Sequence, residues 1–121
     1  MSSKAAISLV TGLEDTERVT VALLVAVGAA ESGRPTLVFL AKEAARLAIG
    51  GVAVGTACSE CPDIPSLMER YAAAGGTLLV CPICFNAKGL DPQRLVANAS
   101  LGGTVQLWEW IGPEAASCFS Y

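Results

Sequence analysis

The sequence predicts an α/β protein with a parallel β-sheet that helices cover on both faces. Short apolar runs alternate with segments of helical patterning, and only a few residues separate them. The runs are apolar throughout, as is typical of strands buried in a parallel sheet. A chain of 121 residues is long enough for one core and too short for two. We therefore predict a single domain over residues 1–121.

The first predicted unit is a strand, a loop and a long helix. Ala5 to Val10 is the predicted strand, and Thr11-Gly12 ends it. A helix is predicted from about Thr16 to Ser32, with Asp15 or Thr16 as its N-cap. Apolar residues lie almost all round this helix, which indicates burial on more than one side. In so small a chain, that pattern predicts contact with another subunit.

Three further strands are predicted in the middle of the chain. Thr36 to Leu40 is followed by a short helix that ends at Gly50-Gly51, and Val52 to Val54 is a candidate for a brief third strand. Pro65 to Ala74 is predicted to be helical, with proline in the first turn. Thr77 to Val80 is then the fourth predicted strand.

The last third of the chain has a weaker pattern. Thr104 to Ile111 is compatible with a strand, because apolar residues alternate, and with a helix, because others fall at helical spacing. Ser117 to Tyr121 is a candidate for a final edge strand.

Composition and charge exclude several classes of protein. Hydrophobic residues make up 53% and charged residues 16% of the chain, against a usual charged share of about 25%. This apolar surplus favours self-association. The longest apolar run, Val19 to Ala30, falls short of the ~20 residues that cross a bilayer, so no membrane span is predicted. A net charge of −3 with scattered basic residues argues against nucleic-acid binding.

The five cysteines are predicted to be thiols or ligands in a cytoplasmic protein. The N-terminal residues, Met1 to Lys4, lack the apolar region of a signal peptide, which argues against a secreted disulfide framework. The chain has no histidine. The commonest general base and any imidazole-based zinc site are therefore excluded.

The strongest candidate for chemistry is the segment Cys81-Pro-Ile-Cys84, which follows a predicted strand and begins a helical segment ending at Gly89. The first turn of a helix carries unpaired backbone N–H groups, which stabilise a thiolate over a thiol. Thr11-Gly12 and the loop from Cys58 to Cys61 also follow predicted strands. In parallel sheets such positions share the carboxyl edge, where sites lie.

Two interpretations of the four cysteines remain open. Cys58-x-x-Cys61 and Cys81-x-x-Cys84 are separated by nineteen residues, which matches the spacing of tetrathiolate zinc sites. That interpretation predicts zinc or an iron–sulfur centre. The other is redox chemistry or sulfur transfer without a cofactor, in which Cys81 attacks and Cys84 or the other pair resolves. For Cys118 we predict a packing role.

Residues across most of the chain resemble the DsrE/DsrF-like family, whose members include sulfur-relay subunits. Leu9-Val-Thr-Gly12 with Asp15 resembles the opening strand, loop and helix of that family, and the segment from Ser32 to Leu40 resembles its second unit. Val80-Cys81, with Lys88-Gly89 seven and eight residues further on, resembles the family's sulfur-accepting cysteine at the end of strand four and its basic residue.

The resemblance implies a three-layer α/β/α sandwich with a mainly parallel sheet of about five strands, flavodoxin-like in appearance. It implies a helix at Thr104 to Ile111, a terminal strand at Ser117 to Tyr121, and assembly into homotrimers, hexamers or mixed rings. It also implies that Cys81 holds a persulfide, which it receives from a donor protein and passes to an acceptor protein. Cys58, Cys61 and Cys84 depart from the pattern of a simple relay subunit, and they keep a disulfide or metal role open.

We therefore predict a cytoplasmic, oligomeric sulfur-carrier or thiol-redox protein that needs no cofactor. The alternative is a zinc or iron–sulfur module, or a structural oligomer module, built on the four cysteines. The predicted site residues are Cys81 as nucleophile, Cys84 as resolving or assisting thiol, Lys88 as a basic residue that helps to activate Cys81, Cys58 and Cys61 as auxiliary thiols, and Thr11 and Gly12 as a rim for an anion or substrate.

Overall fold

Five strands form one all-parallel sheet in the computed structural model, which describes residues 3–121. The strands are β1 (Ala5–Leu9), β2 (Thr36–Leu40), β3 (Thr77–Val80), β4 (Ala99–Leu101) and β5 (Ser117–Ser120). The α-helices are α1 (Thr16–Glu31), α2 (Ile64–Ala73), α3 (Pro82–Ala87) and α4 (Thr104–Ile111), with 3₁₀ segments at Lys42–Ala48 and Pro92–Arg94. The strand order is β4-β3-β2-β1-β5, with every pair parallel. The predicted α/β class and parallel sheet are confirmed.

The order of the strands divides the helices between the two faces of the sheet. The chain steps from β1 to β2, β3 and β4 in one direction, and right-handed crossovers then keep the intervening helices on one face. The last crossover runs back from β4 to β5 across the whole sheet, so α4 covers the opposite face. The protein thus has three layers, with several helices on one side and α4 on the other.

Alternation along the strands separates two apolar clusters. The large cluster joins one face of β1, β2 and β3 to α1, α2 and α3. The small cluster consists of Leu37, Phe39 and Leu79 on the other face, where Leu107 and Trp110 of α4 pack against it. The apolar outer side of α1 is not covered within the chain, since Val21 and Leu24 are both 44% exposed. Among residues 3–121, no helix combines the length and apolar character needed to cross a membrane.

Two predictions about strands are wrong. Val52–Val54 is not a strand but a run of turns, in which Val52 N donates to Ile49 O and Val54 N donates to Gly51 O, each at 3.3 Å. Gly51 adopts φ +85°, which favours local turns over an extended strand. The cysteine-bearing strand Thr77–Val80 is consequently the third strand. The strand β4 was not predicted, because three residues are too few to show a pattern.

The remaining elements lie close to their predicted positions. Asp15 is the N-cap of α1, where its Oδ1 accepts a hydrogen bond from Arg18 N at 3.1 Å. Thr104–Ile111, for which the sequence allowed a strand or a helix, is a helix. This is the form that the resemblance implies. Ser117–Ser120 forms the edge strand β5, paired with β1.

Candidate functional site

The backbone at Cys81 is held from both sides at the carboxyl end of β3. Cys81 is the first residue after the strand and the N-cap of α3. Its N–H donates to Leu40 O of β2 at 2.9 Å, and its carbonyl accepts from Phe85 N at 2.9 Å. Pro82 occupies the first turn of α3, where its missing N–H costs nothing. Local sequence and sheet pairing together therefore fix this cysteine at the sheet edge, as predicted.

The Cys81 side chain lies between apolar residues and solvent. It is partly exposed, has no disulfide partner, and packs against the Leu37, Phe39 and Leu79 cluster on the α4 face. Its sulfur makes no capping hydrogen bond to α3. The first-turn N–H groups of Ile83 and Cys84 have no intrahelical partner by the geometry of a helix start. A thiol here is accessible to a small reactant while one side remains against apolar atoms.

Cys84 packs on the other side of the sheet. It is partly buried against the large cluster, whereas Cys81 packs against the small one. Both are free cysteines, so no disulfide links Cys81 to Cys84. Cys118 is also free, but it is exposed on β5, so the predicted packing role is not what the structure gives it.

Lys88 is paired with a carboxylate rather than with Cys81. Its Nζ lies 2.7 Å from Glu43 Oε1, and Arg46 Nε lies 2.9 Å from Glu43 Oε2. The hydrogen bond from Lys88, followed by that from Arg46, lowers the pKa of Glu43 below its ordinary value. The pair ties the end of α3 to the 3₁₀ segment that follows β2. No local pattern in the sequence indicated that Glu43 would bind Lys88.

The Thr11-Gly12 loop holds an anion from its own chain. Thr11 is buried, and Gly12 N donates to Glu14 Oε1 at 2.6 Å. A Cβ added at Gly12 would lie 2.7 Å from Glu43 O, so only glycine allows the backbone to approach the next rim segment. Thr11 and Gly12 therefore lie at this edge of the sheet, where the Glu14 carboxylate accepts the hydrogen bond from the Gly12 N–H.

Cys58 and Cys61 form a disulfide and do not join the other cysteines. They lie in the loop that leads from the turns at 49–56 to α2, and their Cα atoms are 5.2 Å apart. Within the described part of the chain, no three His, Cys, Asp or Glu side chains are grouped so that they could hold a metal ion. The tetrathiolate arrangement of the four cysteines is thus not formed. The reason is that a 3₁₀ segment and the turns at 49–56 separate this loop from β2, and Cys58 Sγ lies against Thr20 of α1.

These features define a small α/β protein with a five-stranded parallel sheet and a free cysteine at the carboxyl end of an interior strand. Its fold is similar to that of the ychN protein from E. coli, with a TM-score of 0.76, 19% identity, and 100% of both chains covered. MTH1491 from Methanobacterium thermoautotrophicum has a TM-score of 0.70 at 12% identity, with 98% of each chain covered. BT1422 from Bacteroides thetaiotaomicron has 0.68 at 15% identity, covering 98% of this chain and 95% of its own.

MTH1491 and BT1422 are both described as proteins of unknown function. At these identities the likenesses establish the fold alone. No protein-family model and no curated protein sequence matches the chain.

Proposed function

We propose that this protein is a cytoplasmic sulfur carrier of the DsrE/DsrF-like type, which holds a persulfide on Cys81. The observation that carries the proposal is a free, partly exposed thiol at the carboxyl end of an interior strand, with its backbone fixed by Leu40 and Phe85. The Cys81 thiolate attacks the outer sulfur of a donor persulfide. A new S–S bond forms on Cys81, the donor's S–S bond breaks, and the donor leaves as a thiolate. An acceptor thiolate then removes the outer sulfur by the same step.

The positions of the neighbouring thiols support a carrier over a dithiol at this pair. A thiol beside a persulfide would attack its inner sulfur, release hydrosulfide and leave a disulfide. Cys84 packs against the large cluster on the opposite face from Cys81, and Cys58 and Cys61 are bonded to each other. Cys81 is therefore bonded to none of the other cysteines, and its thiol is free to accept sulfur.

Lys88 fits a positioning role in this proposal. Its ion pair with Glu43 joins the end of α3 to the segment after β2, and thus limits movement of the turn that carries Cys81.

The proposal is tested by loading the full chain with a low-molecular-weight persulfide donor and mapping the added sulfur by peptide mass spectrometry. We expect persulfide on Cys81 in the wild-type and Cys84→Ser proteins and none in Cys81→Ser. Equal labelling of Cys81 and Cys84 would contradict it.

We also propose that the protein self-associates through the face that carries α4. Large apolar side chains of α4 are exposed there: Val105 is 64% and Trp108 68% exposed. One eight-residue helix leaves much of a five-stranded sheet uncovered, and a second copy of the chain would bury this surface.

By sedimentation equilibrium we expect a trimer or hexamer, and dissociation in Trp108→Glu. The control is Val54→Glu, at a residue 74% exposed in the 49–56 turns; a monomeric wild-type protein would refute the proposal.

A further inference from the structure

We propose that Cys58 and Cys61 are a second reactive centre, a thiol–disulfide exchange site that works with low-molecular-weight thiols and does not depend on Cys81. The two residues share no side-chain contact with the Cys81 turn among the described interactions. The inference goes beyond the carrier function. It assigns a separate disulfide–dithiol pair and states which of its two sulfurs an incoming thiolate attacks.

The backbone keeps the two sulfurs within bonding reach even without the S–S bond. Cys61 N donates to Cys58 O at 3.1 Å, which closes a turn of four residues and sets the Cα atoms 5.2 Å apart. Ile64 N donates to Thr56 O at 3.0 Å and closes the loop around that turn. After reduction the thiols therefore remain close, so that re-oxidation is intramolecular and fast compared with pairing between molecules.

The disulfide is poorly placed to act as a structural staple. It joins residues of one loop rather than two elements, and neither cysteine belongs to the apolar clusters. In the chain-entropy model, the shorter the closed loop, the smaller the stabilisation, so a separation of three residues gains least. Reduction should thus leave the fold intact, as a reversible redox site requires.

The surroundings of the two sulfurs differ and indicate which one is attacked. Cys58 Sγ lies 3.6 Å from Oγ1 of Thr20, a buried residue of α1 whose hydroxyl donates to Thr16 O at 2.7 Å. Cys61 Sγ lies in an exposed setting, 3.5 Å from Ser59 O. An incoming thiolate therefore reaches Cys61, and Cys58 is the leaving group. Once protonated, the Cys58 thiol can donate to the free lone pair of Thr20 Oγ1.

The reaction balances with thiols alone. A thiolate bonds to Cys61 Sγ, the S–S bond breaks, and Cys58 takes the proton that the first thiol has lost. A second thiol then attacks the mixed disulfide and leaves as the small-molecule disulfide, and its proton passes to Cys61. Two thiols are oxidised to one disulfide, while the protein disulfide is reduced to two thiols.

The test uses the full chain with Cys81, Cys84 and Cys118 all replaced by serine, equilibrated in mixtures of reduced and oxidised glutathione and mass-tagged after acid quenching. We expect one reversible transition between disulfide and dithiol, with the same midpoint from either direction and unchanged circular dichroism. A pair that stays oxidised or stays reduced across all mixtures would overturn the proposal. Because Cys81 is absent, this result is independent of persulfide loading.

Single variants of the wild-type chain test the direction of attack, and they serve also if the triple variant does not fold. With oxidised glutathione, we expect the mixed disulfide to form on Cys61 in Cys58→Ser several-fold faster than on Cys58 in Cys61→Ser. Thr20→Val, which keeps the shape of the side chain but removes the acceptor, should shift the wild-type transition towards the disulfide. Faster labelling of Cys58 than of Cys61 would refute the assignment.

Discussion

Replacing Cys81 by serine is expected to abolish persulfide loading of this protein, while replacing Cys84 leaves it essentially unchanged. The two substitutions are a matched pair, since both remove one free, partly buried cysteine of the same turn. They differ in the face of the sheet against which the residue packs. Serine is nearly isosteric with cysteine, so the loss reports on sulfur rather than on packing.

Two further measurements distinguish the role of the Cys81 sulfur from that of the ion pair near it and from labelling at another cysteine. In Lys88→Met, the ion pair between Lys88 and Glu43 is lost but the Cys81 sulfur remains. We therefore expect persulfide loading to be slower but still to go to completion. Loading of the Cys118→Ser protein controls for labelling at the exposed cysteine of β5. Persulfide that persists in Cys81→Ser, or that disappears in Cys84→Ser, would contradict the carrier function.

Phe85→Ala is expected to lower the free energy of unfolding by about 3–5 kcal/mol, the usual cost of truncating a buried phenylalanine. Phe85 is fully buried in the large cluster and is the only fully buried residue of α3 within the described chain. Its backbone N–H also bonds to Cys81 O, and its carbonyl accepts from Leu90 N at 3.2 Å. The substitution therefore opens a cavity and removes the anchor of the helix that begins at Cys81.

Urea denaturation measures this effect, and the midpoint should fall without a change in slope. Ile83→Ala is the control, because Ile83 lies on the same short helix but is 80% exposed. We expect it to change stability by no more than about 0.5 kcal/mol. A Phe85→Ala protein as stable as Ile83→Ala would show that α3 is not held by its core contact.

The parts of the fold that were predictable from sequence are those with local signals. Continuous apolar runs indicated β1, β2 and β3 because both faces of these strands are buried. Asp15 indicated the start of α1 because an N-cap acts on the next few residues only. The strand β4 was not predictable, since its position depends on pairing with β3 rather than on its own three residues. The apolar segment Val52–Val54 was wrongly predicted as a strand, because its apolar residues do not show whether a neighbouring strand pairs with it.

The candidate site shows the same limit. The position of Cys81 followed from the strand before it and from Pro82 after it. The partner of Lys88 did not, because Glu43 is distant in sequence and reaches Lys88 only in the folded chain. Two Cys-x-x-Cys pairs at this separation suit a zinc site as well as separate pairs. Only the placement of the loops shows that Cys58 bonds to Cys61 and not to a shared metal.

The central claim is that Cys81 is a reactive thiol at the carboxyl edge of the sheet. The most direct test is its rate of alkylation by iodoacetamide at neutral pH, measured by peptide mass mapping in the Cys84→Ser, Cys118→Ser double variant. We predict that Cys81 in the folded protein reacts faster than the same cysteine in the urea-unfolded chain. A folded-state rate equal to or below the unfolded-state rate would contradict the claim and leave Cys81 with a packing role.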